Sequence, residues 1–507
     1  MDGPGPVETS GRPAWSGDGL HYGGAWRSAS GRQRLPVRSP ATGDVLGSVP
    51  IADAADVTAA VAAAQEAAAP WARVDPLDRG RHLRNLGDLL RARMPELAAM
   101  ESAITGRPIR EMRAQMSRIP EWLDYFGGIA AGLEGEANRV RGGYLTYTAY
   151  EPYGVCALLT PWNHPILILV KKLAAAVAAG NTVVVKPSEL APGTPLMLAH
   201  WAAEAGLPAG VVNVVTGEAE TGALLCAAQA VQHIDLTGGT ETGRRVAAAA
   251  GARLVPCTLE LGGKTPVLVF EDAAVEEAAA AAAFSAFVAA GQTCVSASRF
   301  IVARPLYEAF LAAFGRRARA LRLGDPSDPA TDMGPVIARA SRERCLAHVR
   351  RAVEAGARLV CGGGRPDLPA PFDAGHFIEP TVLADVTCDM PVFREELFGP
   401  VAAVLPFDGE EEALRLANDT PFALGAAVWT SDVARAHRVA GAVRAGMVWV
   451  NDHHKNDPRS IWGGFGDSGY GKENGWDALR GYQRKRSVVV RTAPAFDDWF
   501  AGGKRYG

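Results

Sequence analysis

The chain is predicted to be an α/β protein built on parallel sheets. Three observations carry that prediction. Between Val155 and Ala250, short apolar runs alternate with helical runs, the pattern of βαβ units. The apolar runs end in glycine or polar turn residues, as at Val183-Val-Val-Lys-Pro-Ser and Leu236-Thr-Gly-Gly-Thr. After Leu254 the alternation resumes, predicting a second α/β unit.

Taken in order, residues 1 to about 18 are rich in Gly, Pro and Ser and are expected to be mobile. Asp53–Ala69 and Leu77–Ala103 read as helices, and Gly142–Tyr150 alternates as a strand. Strands are predicted at Val155–Thr160, Thr182–Lys186, Val211–Thr216 and His233–Leu236, with helices at Lys171–Ala179, Pro195–Ala205 and Gly243–Ala250. The second unit offers strands at Pro256–Leu261, Pro266–Phe270, Arg299–Ala303, Ala357–Cys361, Ala402–Leu405, Ala426–Thr430 and Val448–Asn451, with an alanine-rich helix before Ala290. Arg484–Arg491 is strand-like with charged ends, suited to pairing with another segment or subunit.

With 507 residues there is room for about three domains. A net charge of −3 leaves no basic footprint for nucleic acid and no polybasic membrane arm, so small molecules are the expected partners. Seven scattered cysteines without a CxxC pair point to a reducing cytoplasm. The first residues lack a basic segment followed by an apolar core, so no secretory signal is expected. No apolar run has the length of a membrane helix. No metal site is expected; adjacent His453 and His454 would point to opposite faces of a strand.

Cys294, in Gly-Gln-Thr-Cys, follows the alanine-rich helix and sits among small polar residues. Such surroundings suit a nucleophilic thiolate, although a lone cysteine also serves as a small buried hydrophobe. Thr160-Pro-Trp-Asn163 ends a strand with an amide donor between stiff prolines, as an oxyanion site needs. Lys186-Pro-Ser-Glu189 ends the next strand, where doubly wound sheets bind ligands; the carboxylate could accept from a ribose diol and would repel a 2′-phosphate. Leu236-Thr-Gly-Gly-Thr-Glu-Thr-Gly243 fits a pyrophosphate turn but matches neither a P-loop nor G-x-G-x-x-G. Glu260, among apolar neighbours, is a candidate base with a burial-raised pKa. Each of these reads equally as an ordinary turn, a solvated pair or a paired core carboxylate.

Together, in this order, the motifs resemble those of the aldehyde dehydrogenase superfamily, from about His21 to Arg491. Gly291-Gln-Thr-Cys294, Glu395-Glu-Leu-Phe-Gly-Pro400 and Gly463-Gly-Phe-Gly-Asp-Ser-Gly469 complete the series. The resemblance implies NAD(P)-dependent oxidation of an aldehyde, with NAD preferred, through a cysteine thiohemiacetal, hydride transfer and hydrolysis of a thioacyl-enzyme. By the same resemblance Cys294 is the nucleophile, Asn163 with the Cys294 amide the oxyanion hole, and Glu260 the base. Lys172 and Glu473 are supporting polar residues. Thr160, Pro161, Trp162, Lys186, Ser188, Glu189, Gly239, Thr242, Leu261, Gly262, Glu396 and Phe398 are expected at the cofactor.

The implied architecture is a Rossmann-like cofactor domain (19–125 and 151–258), an α/β catalytic domain (259–479) and a small β oligomerisation arm with the C-terminal tail (126–150 and 480–507). A homodimer or homotetramer is expected. The sequence departs from the family at Ile461, at Gly466 and at Gly239, where proline, lysine and serine are common. It departs also along the substrate tunnel, matched to His164, Ile168, Lys171, Val288, Thr293, Val295, His453, His454, Lys455 and Asn456. Those positions are unusually polar, which fits a polar or carboxylate-bearing semialdehyde. If the lysines instead snorkel to solvent, an ordinary aromatic or aliphatic aldehyde fits. The competing functions are an acylating enzyme using coenzyme A, which the glutamate at 260 argues against, a cofactor-free cysteine hydrolase and a non-catalytic binding protein.

Overall fold

A computed structural model describes residues 15–17, 19–132, 134–141, 143–494, 496 and 498–503. Its first sheet has a parallel centre of five strands: β1 (Val155–Thr160), β2 (Thr182–Pro187), β3 (Val212–Val214), β4 (Val231–Thr237) and β5 (Cys257–Glu260). They lie in the order β3-β2-β1-β4-β5. The order reverses between β1 and β4, so the crossover helices leave on opposite faces and a crevice opens at the strand ends. Antiparallel strands close both edges, Gly19–Tyr22 with Ala25–Ser28 beyond β3 and Gly469–Tyr470 beyond β5. β1 is buried along its whole length, which is why it reads as a continuous apolar run.

The second sheet holds β6 (Thr265–Val269), β7 (Ala297–Ala303), β8 (Arg358–Cys361), β9 (Thr381–Ala384), β10 (Val401–Phe407), β11 (Gly425–Trp429) and β12 (Met447–Val450). Its order is β8-β9-β10-β7-β6-β11-β12, parallel except for the β8 edge. The helix Pro165–Ala178 between β1 and β2 starts with proline at its first turn and is buried almost all round. A third sheet joins Gln483–Arg491, Tyr144–Pro152 and Ala137–Val140, with Gln483 opposite Pro152 and Arg491 opposite Tyr144. Its outer strands are largely exposed.

Two expectations need correction. The stretch Leu77–Ala103 is not one helix: Pro76–Ala92 and Met94–Thr105 meet at Arg93, which leaves the helical region just before Pro95. Proline lacks the N–H that would continue the ladder. Of the segment expected to be mobile, residues 1–14 and 18 lie outside the described residues, but Trp15 is 3% exposed and the Ser16 hydroxyl accepts from the Ser48 N–H at 3.0 Å. Among the described residues no helix is long and apolar enough to cross a membrane.

The helices Pro76–Ala92 and Pro120–Ile129 approach backbone to backbone, and a Cβ on Gly80 would overlap the Gly127 carbonyl. On the same helix, a Cβ on Gly87 would meet nothing nearer than 3.6 Å. Gly80→Ala is therefore expected to cost about 1–3 kcal/mol and lower the thermal midpoint. Gly87→Ala should hold or raise it, by about 0.5–1 kcal/mol. Equal midpoints for the two variants in scanning calorimetry would contradict this packing.

Candidate active site

Cys294 does not sit at a helix start. The helix Val275–Phe287 ends, and the chain turns through Ala289 (φ 53°), Ala290 (φ 53°) and Gly291 (φ 70°) before reaching it. Left-handed alanines cost on the order of 1 kcal/mol each, so surrounding contacts must hold the turn. Gly291 packs so close to the Gly399 carbonyl that a Cβ would collide, and the Ala289 N–H donates to Glu111 Oε2 at 3.2 Å. Burial, with the neighbouring Glu260, pushes the thiol up to about 12. Burial thus works against the thiolate that the small polar surroundings were expected to suit.

Glu260 ends β5 at 3% exposure, and neither carboxyl oxygen has a hydrogen-bond partner. Burial and the nearby Glu473 raise its pKa well above the carboxylate range. The two glycines that follow are required by space. A Cβ on Gly262 would strike the Glu396 carboxylate, and one on Gly263 the Cys294 carbonyl. Glu396 in turn accepts from the Gly263 N–H at 2.9 Å, and burial lifts its pKa to about 7. At Gly463 a Cβ would come within 2.5 Å of Glu260 Oε1.

Asn163 is buried and donates from Nδ2 to the Gln292 carbonyl at 2.9 Å, leaving its second amide N–H for another acceptor. Its own carbonyl accepts from Arg107 Nη1 at 3.1 Å. Lys172 is fully buried between Asp235 and Glu473, its Nζ donating to Glu473 Oε1 at 2.7 Å. Lys171 meets the other oxygen of Glu473 at 2.5 Å. Burial opposes ionisation of Glu473, yet the two ammoniums hold its carboxyl down to about 2. The Tyr482 hydroxyl donates to Asp235 and extends this chain inward.

Cys294, Glu260 and Glu473 share a tunnel of about 280 Å³. Of the expected tunnel residues, His164, Ile168, Lys171, Val288, Thr293, Val295, His454 and Asn456 line it. His453 and Lys455 do not. His453 is buried behind the wall, where its ring Nε2 meets the Val295 carbonyl at 2.8 Å, and the Lys455 side chain is 77% exposed beside Asp452. The histidines lie beyond β12, not on a strand; His454 has φ 62°, and the two rings sit 4.9 Å apart. Asn163 and Lys172 also stand outside the lining. Lys171 does not reach solvent: its side chain is 3% exposed.

The sequence reading missed Arg107, Glu111, Gln115, Arg118, Trp122, Phe284 and Trp462, all of which line the tunnel. Five of these come from residues 107–122, in and around two N-terminal helices and remote in sequence from every motif. Only Trp462, next to Gly463-Gly464, carried a local signal.

A second cavity of about 610 Å³ opens at the strand-order reversal of the first sheet. Of the residues expected at the cofactor, Thr160, Pro161, Trp162, Lys186, Ser188, Glu189, Gly239 and Thr242 line it, together with Arg245. Lys186 Nζ lies 3.6 Å from Glu189 Oε2, and Gly239 caps the N-terminus of the helix Thr240–Ala252. Leu261, Gly262, Glu396 and Phe398 lie outside this lining. The Phe398 ring packs edge-on to Trp162 at 5.3 Å, and Leu261 abuts Gly243. Thr237, at the end of β4, lines both cavities, so they meet there.

Betaine aldehyde dehydrogenase from Brucella anthropi is 42% identical over 469 residues, covering 92% of this chain and 96% of that protein. The crystal structure of PnpE in complex with nicotinamide adenine dinucleotide superposes with a TM-score of 0.93 at 40% identity, covering 95% of this chain and 99% of that one. Betaine aldehyde dehydrogenase from Staphylococcus aureus, in complex with NAD+, gives 0.92 at 32% identity, with 96% of each chain covered. The sequence model of the Aldehyde dehydrogenase family matches residues 26–488, and the chain belongs to that family.

Proposed function

We propose that the chain oxidises an aldehyde to its carboxylic acid with NAD, using Cys294 as nucleophile and Glu260 as base. The observation that carries this reading is the meeting of two cavities at Thr237, one holding the thiol and the other lying at the dinucleotide-binding crevice of a parallel sheet. The larger cavity fits a dinucleotide. Lys186 and Glu189 would hold the adenosine ribose, the helix N-terminus at Gly239 the pyrophosphate, and Glu396 the nicotinamide ribose. The Glu189 carboxylate favours NAD over NADP, and the PnpE and Staphylococcus aureus relatives are NAD complexes. When bound, NAD supplies the hydride acceptor.

The chain's own residues do the rest. The Cys294 thiol gives its proton to ionised Glu260, and sulfur adds to the aldehyde carbon. The resulting alkoxide is met by the free N–H of Asn163 and the Cys294 amide, donors already held in place by Gln292 and Arg107. After oxidation the acyl group remains on sulfur as a thioester. Glu260 releases the thiol proton to solvent and then takes a proton from water as that water attacks; the acid leaves with cleavage of the carbon–sulfur bond, and sulfur departs as the thiolate. A base beside the thiol supports hydrolysis over transfer to coenzyme A.

In this reading the first sheet serves the cofactor and the second the chemistry. The exposed strands Gln483–Arg491 and Ala137–Val140 pair copies into a homodimer or homotetramer. Seven free cysteines suit the cytoplasm.

Cys294→Ala is expected to abolish NADH formation, while Glu260→Gln should slow the first NADH released and stall later turnovers, as read by stopped-flow absorbance. Multiple turnovers in the glutamine variant would exclude Glu260 as the hydrolytic base. Because burial raises the Glu260 pKa and only its ionised form accepts a proton, kcat/KM should rise with pH through a titration above 4.5. The glutamine variant should lose that limb. Gly463→Ala, which pushes the Glu260 carboxylate aside, should cut kcat on the order of a hundredfold; unaltered kcat would show that Glu260 need not stand where Gly463 allows it.

A further inference from the structure

The tunnel wall has two tryptophans, and each is already covered by a cation of the chain itself. Lys171 Nζ lies 4.5 Å from the centre of the Trp462 ring, and the Arg118 guanidinium lies 5.9 Å from that of Trp122. Aromatic faces of this kind are what binds quaternary ammonium groups. A trimethylammonium tail entering here would meet like charge at both tryptophans, leaving it the weaker Phe284 ring, which packs edge-on to His454 at 5.8 Å.

Carboxylates offer it no alternative. Glu473 is bound by Lys171 and Lys172 and Glu111 by Arg107, while Glu260 stands beside Cys294, where the aldehyde carbon and not the tail would lie. Arg118 pairs with Glu121 away from the tunnel lining. Lys171 cannot swing clear: its side chain is 3% exposed and fixed at 2.5 Å to Glu473. Its place at the tunnel follows from helix geometry, since His164, Ile168 and Lys171 stand on one face of the helix that begins at Pro165.

We infer that Lys171 is a specificity-determining residue which, with Arg118, excludes aldehydes carrying a cationic tail and admits neutral or carboxylate-bearing ones. This rests on the tunnel being the aldehyde site, as proposed above. It sets the chain apart from its 42% identical betaine aldehyde dehydrogenase relatives despite the shared fold. Exclusion works by building repulsion against one ligand class, with no new attraction to another required.

The test compares three aldehydes on the intact enzyme with NAD: betaine aldehyde, its uncharged isostere 3,3-dimethylbutanal, and 4-oxobutanoate, each corrected for its hydrated fraction. The neutral isostere should exceed betaine aldehyde in kcat/KM by about tenfold or more, the size of a lost cation–π contact with added repulsion, and 4-oxobutanoate should not fall below betaine aldehyde. In Lys171→Met the ratio of isostere to betaine aldehyde should shrink about tenfold, while Lys171→Arg should keep it. Using a ratio of isosteres cancels any general loss of activity in the variants. Betaine aldehyde oxidised as well as its isostere by the unmodified enzyme overturns the inference without need of a variant, as does an unchanged ratio in folded Lys171→Met. Oxidation of none of the three, nor of any aldehyde in a wider panel, would instead overturn the proposed function.

Discussion

The site depends on one close approach, at the Gly262-Gly263 pair after β5. Both glycines are there because something else fills the space a side chain would need: the Glu396 carboxylate against one, the Cys294 carbonyl against the other. The strand that delivers Glu260 thus touches, within three residues, the nucleophile loop and the carboxylate proposed for the nicotinamide ribose. The first sheet ends at this point and the second begins with β6 two residues later. A Cβ at either glycine would push apart the elements whose contact makes the site.

Charge around the tunnel follows from a shortage of cations. Lys171 and Lys172 face three buried carboxyls, Asp235, Glu260 and Glu473. Glu473 takes both ammoniums and Asp235 shares one, which leaves Glu260 with neither cation nor hydrogen-bond donor. Lys472 spends its ammonium on the carbonyls of Gly463 and Gly464, at 2.9 and 3.0 Å. Burial of an unpaired carboxylate is costly, and this raises the Glu260 pKa well above the usual carboxylate range. Removing one partner of such a buried network typically costs about 3–5 kcal/mol, so Lys172 and Asp235 act on stability as well as on the charge seen by the base.

What the sequence made legible was whatever chemistry is written in consecutive residues. Glu260, Asn163, Lys186 and Glu189 each lie in a short motif at a strand end and Cys294 in one between helix and strand, and the alternation of strands and helices placed the strand ends on one side of a sheet. What stayed hidden depends on contacts between distant segments. Arg107, Glu111 and Gln115 lie in or before a polar helix, Ile109–Met116, with no local mark of function, and reach the tunnel only through packing. The split between His454 and Asn456, which line the tunnel, and His453 and Lys455, which do not, turns on the left-handed backbone at His454 in a loop beyond β12. A strand-like alternation extended past Val450 gives no hint of that turn.

The hidden residues also account for how a strained nucleophile loop is kept. Arg107 ion-pairs with Glu111, whose other oxygen accepts from Ala289, the first of the left-handed residues before Cys294. The same guanidinium donates to the Asn163 carbonyl, and Asn163 donates to Gln292 on the far side of the turn. Gln292 is anchored in its turn by the Ile337 N–H at 2.8 Å. One arginine, 4% exposed, therefore joins Asn163, the proposed oxyanion donor, to the loop that carries the sulfur. Positioning a nucleophile and its oxyanion donor independently would let each drift, whereas a shared anchor moves them together. Through that coupling a buried arginine just before the helix Ile109–Met116 would act on the proposed chemistry without touching the sulfur.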